Sequence, residues 1–235
     1  MLFDPLYWLV IGAGMALSLW ANAMVKGRFR KYGQIPTRSG MTGAQVAQAI
    51  LQENGIFDVT VEPVAGKLTD YYDPRSKTLR LSEPVYASNS MAAFGVAAHE
   101  VGHAIQDARG YAPLKFRSAW VPVANTGSGL SMLVIILAII MGGTATPLGA
   151  LAAWVGVGLF ATTTVFTLIT LPVEFDASSR ALASLSGRYV SDEELRGAKK
   201  VLDAAAMTYV AAFATSLMTL FYWAMQLGLL GGGDD

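Results

Sequence analysis

Four apolar stretches constrain what this chain can become. Leu2 to Val25, Leu130 to Met141, Leu148 to Leu171 and Ala204 to Leu230 are dominated by aliphatic, aromatic and small residues. Three of them reach the ~20 residues that a helix needs to cross a bilayer, and the second does so if it begins near Val121. Trp8 and Trp20 stand near the two ends of the first stretch and Trp223 near the far end of the last, where an amphipathic ring suits the membrane interface. The run Gly142-Gly143-Thr144-Ala145-Thr146-Pro147 makes an uncharged turn between the second and third, so the two read as a transmembrane hairpin. With 53% hydrophobic and 14% charged residues and a mean hydropathy of +0.43, the chain is too apolar for an ordinary soluble domain. The expectation is a mainly α integral membrane protein with about four transmembrane helices: residues 1–25, a hairpin over 121–171, and a last span with its tail over 204–235.

Charge placement orients these spans. All 17 Lys and Arg lie between Lys26 and Arg117 or between Arg180 and Lys200, whereas the start of the chain, the hairpin turn and the C-terminus carry only Asp4, Asp234 and Asp235. With four spans both basic segments share one side, which the positive-inside rule makes cytoplasmic, with both termini outside. The basic cluster Lys26, Arg28, Arg30 and Lys31 follows the first apolar run instead of preceding it, which reads as a retained span and not a cleaved leader. Net charge is zero, so no nucleic-acid partner is indicated.

Between the first span and the hairpin, residues 26–120 read as a polar α+β domain with a short sheet. Val46, Ile50 and Leu51 have helical spacing, with Thr42 as N-cap and Asn54-Gly55 as stop. Val59-Thr60-Val61-Glu62 alternates as a strand. Asp73-Pro74-Arg75-Ser76 is turn chemistry, followed by a second strand from Lys77 to Ser82. Ser88, Asn89 and Ser90 offer N-caps for a helix from Met91 to Ala108.

That helix holds the only two histidines in the protein, in His99-Glu100-Val101-Gly102-His103. Positions i and i+4 share a helical face, so both imidazoles can reach one Zn²⁺ while Glu100 points at a water there. With no cysteine in the chain, thiolate ligands and disulfides are excluded and the third ligand is expected to be a carboxylate. Leu171-Pro172-Val173-Glu174-Phe175-Asp176-Ala177-Ser178 follows a span and faces the same compartment as the histidines. Glu174 is the expected ligand and Asp176 its competitor, since only one of the two can face the metal.

The blocks Tyr72 to Ser82, Ser88 to Ser90, Val96 to Gln106, Pro172 to Ser178 and Thr208 to Ala212 strongly resemble the YugP-type membrane zinc metallopeptidases of bacteria, over nearly the whole chain. More distantly the chain is similar to the HtpX-type membrane proteases, which also place a transmembrane hairpin between the histidine motif and a ligand glutamate. The resemblance implies a zincin-like, gluzincin-type fold, with the third ligand in the cytoplasmic segment 172–203 and residence in the bacterial inner membrane. In the wider group an aspartate four residues after the ligand glutamate supports the first histidine. Here that position is Ser178, which leaves Asp176 or Asp203 as candidates for the supporting role. The resemblance also suggests that the strand Lys77–Leu81 binds substrate as an added strand, or is an ordinary sheet strand. It further suggests that Tyr209 steadies an oxyanion, or anchors the last span at the interface.

The expected function is metal-assisted hydrolysis of peptide bonds in membrane or membrane-proximal polypeptides. His99, His103 and Glu174 hold Zn²⁺, Glu100 is general base, and Tyr209 assists. A membrane regulatory partner or an oligomer is compatible with this. A catalytically silent zinc-stabilised scaffold that binds partner proteins is the alternative. A transporter is disfavoured because no charge lies at mid-span, and Thr162, Thr163, Thr164 and Thr167 suit helix packing or backbone bonding.

Overall fold

The computed structural model describes residues 4–230 and divides into two compact units. One unit takes Ala21–Lys115 and Pro172–Thr208, and the other takes the rest of the chain. Their elements, in chain order, are helices α1 (Pro5–Tyr32) and α2 (Gly43–Glu53), strands β1 (Thr60–Val64), β2 (Tyr71–Asp73) and β3 (Thr78–Ser82), and helices α3 (Glu83–Tyr86), α4 (Met91–Ala108), α5 (Ala112–Ile140), α6 (Pro147–Leu185) and α7 (Asp192–Gln226). Among the described residues, α1, α5, α6 and α7 are the four helices long and apolar enough to cross a membrane.

In the apolar unit, Ile135 of α5, Ala153 and Val157 of α6, and Tyr222, Trp223 and Leu227 of α7 form the buried core. Gly127 lets α5 and α6 approach, since a Cβ there would meet the Leu159 carbonyl oxygen at 2.6 Å. The threonine run serves packing: Thr162 and Thr167 donate to the Leu159 and Thr164 carbonyls, and Thr167 also contacts the Ser216 hydroxyl at 2.9 Å. The second span begins at Ala112, earlier than the apolar pattern alone marks, and carries Pro122 in its interior. The helix that carries the third apolar run continues past Leu171, through Pro172, to Leu185.

The other unit is built on local sequence signals. A capping box closes the start of α2: Thr42 Oγ1 accepts from Gln45 N and Gln45 Oε1 accepts from Thr42 N. Gly55, at φ +72°, ends it in a conformation that favours glycine. Ser90 caps α4 by accepting from Ala93 N, and Ser191 with Glu194 forms a second capping box before α7. Leu79 and Leu81 of β3 pack against Val46, Ile50 and Leu51 of α2 and Phe94, Ala97 and Val101 of α4, all fully buried. At about 1.5–3 kcal/mol for each large side chain taken from water, this layer fixes α4 against the sheet.

The sheet order is β1-β3-β2, with β1 parallel and β2 antiparallel to β3. Leu79 is thus opposite Val61 on one side and Tyr72 on the other. This corrects one expectation. The strand Lys77–Leu81 cannot accept an added substrate strand, because both of its hydrogen-bonding edges are taken. Lys77 lies just before β3, at φ +51°. Of the two edge strands, β2 is the one tied to α4: Tyr72 donates its hydroxyl to Asp107 Oδ2 at 2.9 Å.

Candidate metal centre

His99 and His103 stand one turn apart on α4, their ring centroids 4.8 Å apart. Glu174 of α6 meets both, its Oε2 lying 3.2 Å from His99 Nε2 and 3.6 Å from His103 Nε2. The three ligand atoms all lie within 4.8 Å of one another. Tetrahedral zinc with bonds near 2.0–2.2 Å separates its ligand atoms by roughly 3.3 Å, close to the two distances from Glu174, and three protein ligands leave a fourth position open. The donor set of two imidazole nitrogens and a carboxylate oxygen suits zinc as well. His99, His103 and Glu174 can therefore hold a metal ion.

The backs of both rings are also held. Gln106, fully buried, donates its amide nitrogen to the Val173 carbonyl and to Asp176 Oδ2, each at 2.8 Å. Its amide oxygen is left for His103 Nδ1 at 3.0 Å. An amide oxygen only accepts, so Nδ1 carries a proton, and Nε2 is the ring nitrogen turned towards Glu174. Asp176 is fixed in turn by Arg180, which pairs with it one helical turn on and lies over the Tyr111 ring at 5.6 Å. His99 Nδ1 meets Ser178 Oγ at 3.1 Å.

These contacts correct the supporting residues expected for His99. Ser178 itself fills the role, Asp176 serves His103 through Gln106, and Asp203 makes an exposed pair with Lys199 at 2.7 Å. For Asp176 the reason is helical phase, since Glu174 and Ser178 are one turn apart and share a face of α6 that Asp176 does not, while Asp203 stands on α7 and is taken by Lys199. A signal for Gln106 did exist, since it is three residues after His103 and so on the same side of α4.

Gly102 makes the convergence possible. A Cβ at that position would meet the Ala177 carbonyl oxygen at 2.5 Å, so only glycine lets α4 and α6 come this close. Glu100 is buried beside the histidines. Burial pushes its pKa up, the charges of His99 and His103 oppose the shift, and those of Glu174 and Asp70 add to it. For His103, burial pulls the pKa down, but the bond to Glu174 and the charge of Glu100 outweigh it and hold it up. Asp70, just before β2, accepts from the backbone N–H and hydroxyl of Ser82. Its pKa is raised because burial outweighs those bonds. Tyr209 lies on α7, where the apolar unit's share of that helix begins.

A pair of histidines and a glutamate on packed helices, in a chain with four helices apolar enough to cross a membrane, defines a candidate metalloprotein of the membrane. Residues 7–228 match the family described as "Putative neutral zinc metallopeptidase", and the chain belongs to that neutral zinc metallopeptidase family. It is 45% identical over 224 residues to "Putative membrane protease YugP" of Bacillus subtilis (strain 168), covering 95% of this chain and 96% of that protein. No solved structure matches it significantly.

Proposed function

We propose that this protein is a membrane-embedded zinc endopeptidase of the gluzincin type, hydrolysing peptide bonds of membrane or membrane-proximal polypeptides. The observation that carries this reading is the convergence of His99, His103 and Glu174 within 4.8 Å. In the reading, those three side chains are the zinc ligands and His-Glu-x-x-His is the active-site motif. Bound zinc supplies Lewis acidity and brings the pKa of a water towards ~7. Glu100, held up in pKa by its burial, would be the side chain that accepts a proton from the attacking water and returns it to the departing amine. The Tyr209 phenol donates to the developing oxyanion. The substrate backbone adds to β2, the edge strand bound to α4 through Tyr72 and Asp107. Lys and Arg concentrated in 26–117 and 180–200 support a site on the cytoplasmic side of the cell membrane with both termini outside.

The test compares detergent-purified wild type, Glu100→Gln and Glu174→Ala for zinc content and for cleavage of an unfolded protein and of membrane substrates. Near-stoichiometric zinc in the first two, cleavage in wild type alone, and depleted zinc in Glu174→Ala are expected. Stoichiometric zinc in all three with no cleavage of either substrate overturns the reading in favour of a zinc-stabilised scaffold.

A further inference from the structure

We infer that a cleft at the end of α1 is a binding site for an anionic phospholipid. The apolar run of α1 ends at Val25, and Lys26, Phe29 and Arg30 follow at i, i+3 and i+4, on one helical face. Lys67 and Leu68, from the loop joining β1 to β2, and Pro84 at the start of α3 complete the lining of a cavity of about 400 Å³. Phe29, Leu68 and Pro84 give it an apolar wall. Lys26, Arg30 and Lys67 ring that wall with three positive charges.

Lys77, Arg180, Arg188 and Lys199 each pair with an acid, whereas Lys26, Arg30 and Lys67 have no ion pair or hydrogen bond among the described residues. The loop across the cleft is held in a costly shape. Leu68 sits at φ +58°, a left-handed conformation that leucine disfavours, and stays 38% exposed beside Gly66 at φ +114°. Thr69 closes the loop by donating to the Ala65 carbonyl at 3.1 Å.

Three unpaired cations beside an apolar wall, in the first turns after a span, match the two ends of one molecule. A lipid phosphate neutralises the charges while its acyl chain covers Phe29, Leu68 and Pro84. Free phosphate would leave the wall in water, and a zwitterionic lipid would leave the cations uncompensated. The inference rests on α1 spanning a bilayer and is independent of peptide hydrolysis.

The experiment takes delipidated, full-length wild type in detergent and titrates it with dioleoyl phosphatidylglycerol, dioleoyl phosphatidylcholine or inorganic phosphate. Retention is read by native mass spectrometry, and amide exchange is followed over residues 65–69. Wild type should retain phosphatidylglycerol on the order of tenfold better than phosphatidylcholine, and bound phosphatidylglycerol should slow exchange in the loop. The combined Lys26→Gln, Arg30→Gln and Lys67→Gln variant should lose that preference and the protection. Leu68→Ser should weaken both lipids while keeping the order between them. A combined variant that keeps the wild-type preference overturns the inference, and so does displacement of phosphatidylglycerol by millimolar phosphate with the same loop protection. Zinc content on the same samples shows that the variants are folded.

Discussion

Gln106 turns its amide oxygen to His103 Nδ1 at 3.0 Å because its amide nitrogen is already committed to Val173 and Asp176. The orientation of one ring facing the metal position is thus set by a neutral side chain that never touches the metal. Gln106→Leu leaves His103 Nδ1–H buried without an acceptor and removes a donor from Asp176. Zinc affinity should fall by about 10–100-fold, measured by competition with a chelator. Affinity within twofold of wild type would show that the ring holds its own tautomer.

Ser178 supports His99 with a single hydroxyl at 3.1 Å. Ser178→Ala should weaken zinc by less than Gln106→Leu, because no chain of charge stands behind that hydroxyl. Ser178→Asp offers a charged acceptor to the same Nδ1–H and should bind zinc at least as tightly as wild type. Asp203→Ala is the control, since its exposed pair with Lys199 is worth about 0–1 kcal/mol. If Asp203→Ala depletes zinc and Ser178→Ala does not, the assignment of Ser178 is wrong.

Gly102→Ala tests the close approach of α4 and α6. The added methyl meets the Ala177 carbonyl oxygen at 2.5 Å, and overpacking of this kind costs about 1–3 kcal/mol. The thermal midpoint should drop and zinc should be released at lower chelator concentration, since the same displacement parts Glu174 from the histidines. An unchanged midpoint with unchanged zinc retention would mean that the helices yield without cost.

Lys77 donates to Asp107 Oδ2 at 2.7 Å, and this bond, opposed by slight burial, raises its pKa above the ordinary lysine value of 10.5. A base with a raised folded-state pKa contributes stability that is fully present below pH 10.5 and is lost as pH climbs through the folded value. The side chain is 39% exposed, so the effect stays small. The difference in thermal midpoint between wild type and Lys77→Met should be flat at neutral pH and shrink above pH 10.5. A difference that widens there would reverse the sign and discard the pair.

Much of this architecture is legible in the residues. Ser90 and the register of Met91 to Ala108 mark both ends of α4 because capping and periodicity act over neighbouring positions. His99 and His103 are readable as a pair from their spacing, and zinc chemistry asks for a carboxylate beside them. Glu174 and Asp176 offer the same donor atoms, however, and only the packing of α6 on α4 brings Glu174 to the pair. Gln106 and Ser178 escape because their roles exist only once α4 and α6 are packed. The three-residue strand β2 escapes for another reason: Tyr71–Asp73 is too short for alternation to register, and its pairing with β3 is a tertiary fact. The helix after Leu171 is legible from its continuation of the third apolar run, although Pro172, which usually marks a helix boundary, lies inside α6.

Glu174 is 75 positions later in the chain than His99, with all of α5 and most of α6 between them. During synthesis the two histidines leave the ribosome long before the carboxylate that joins them, and the intervening hairpin is the most apolar part of the protein. Until that hairpin has been made and α6 has folded as one rod, the centre has two of its three donors. The three donors thus form one set only through the packing of α6 on α4, across a separation that local sequence cannot bridge.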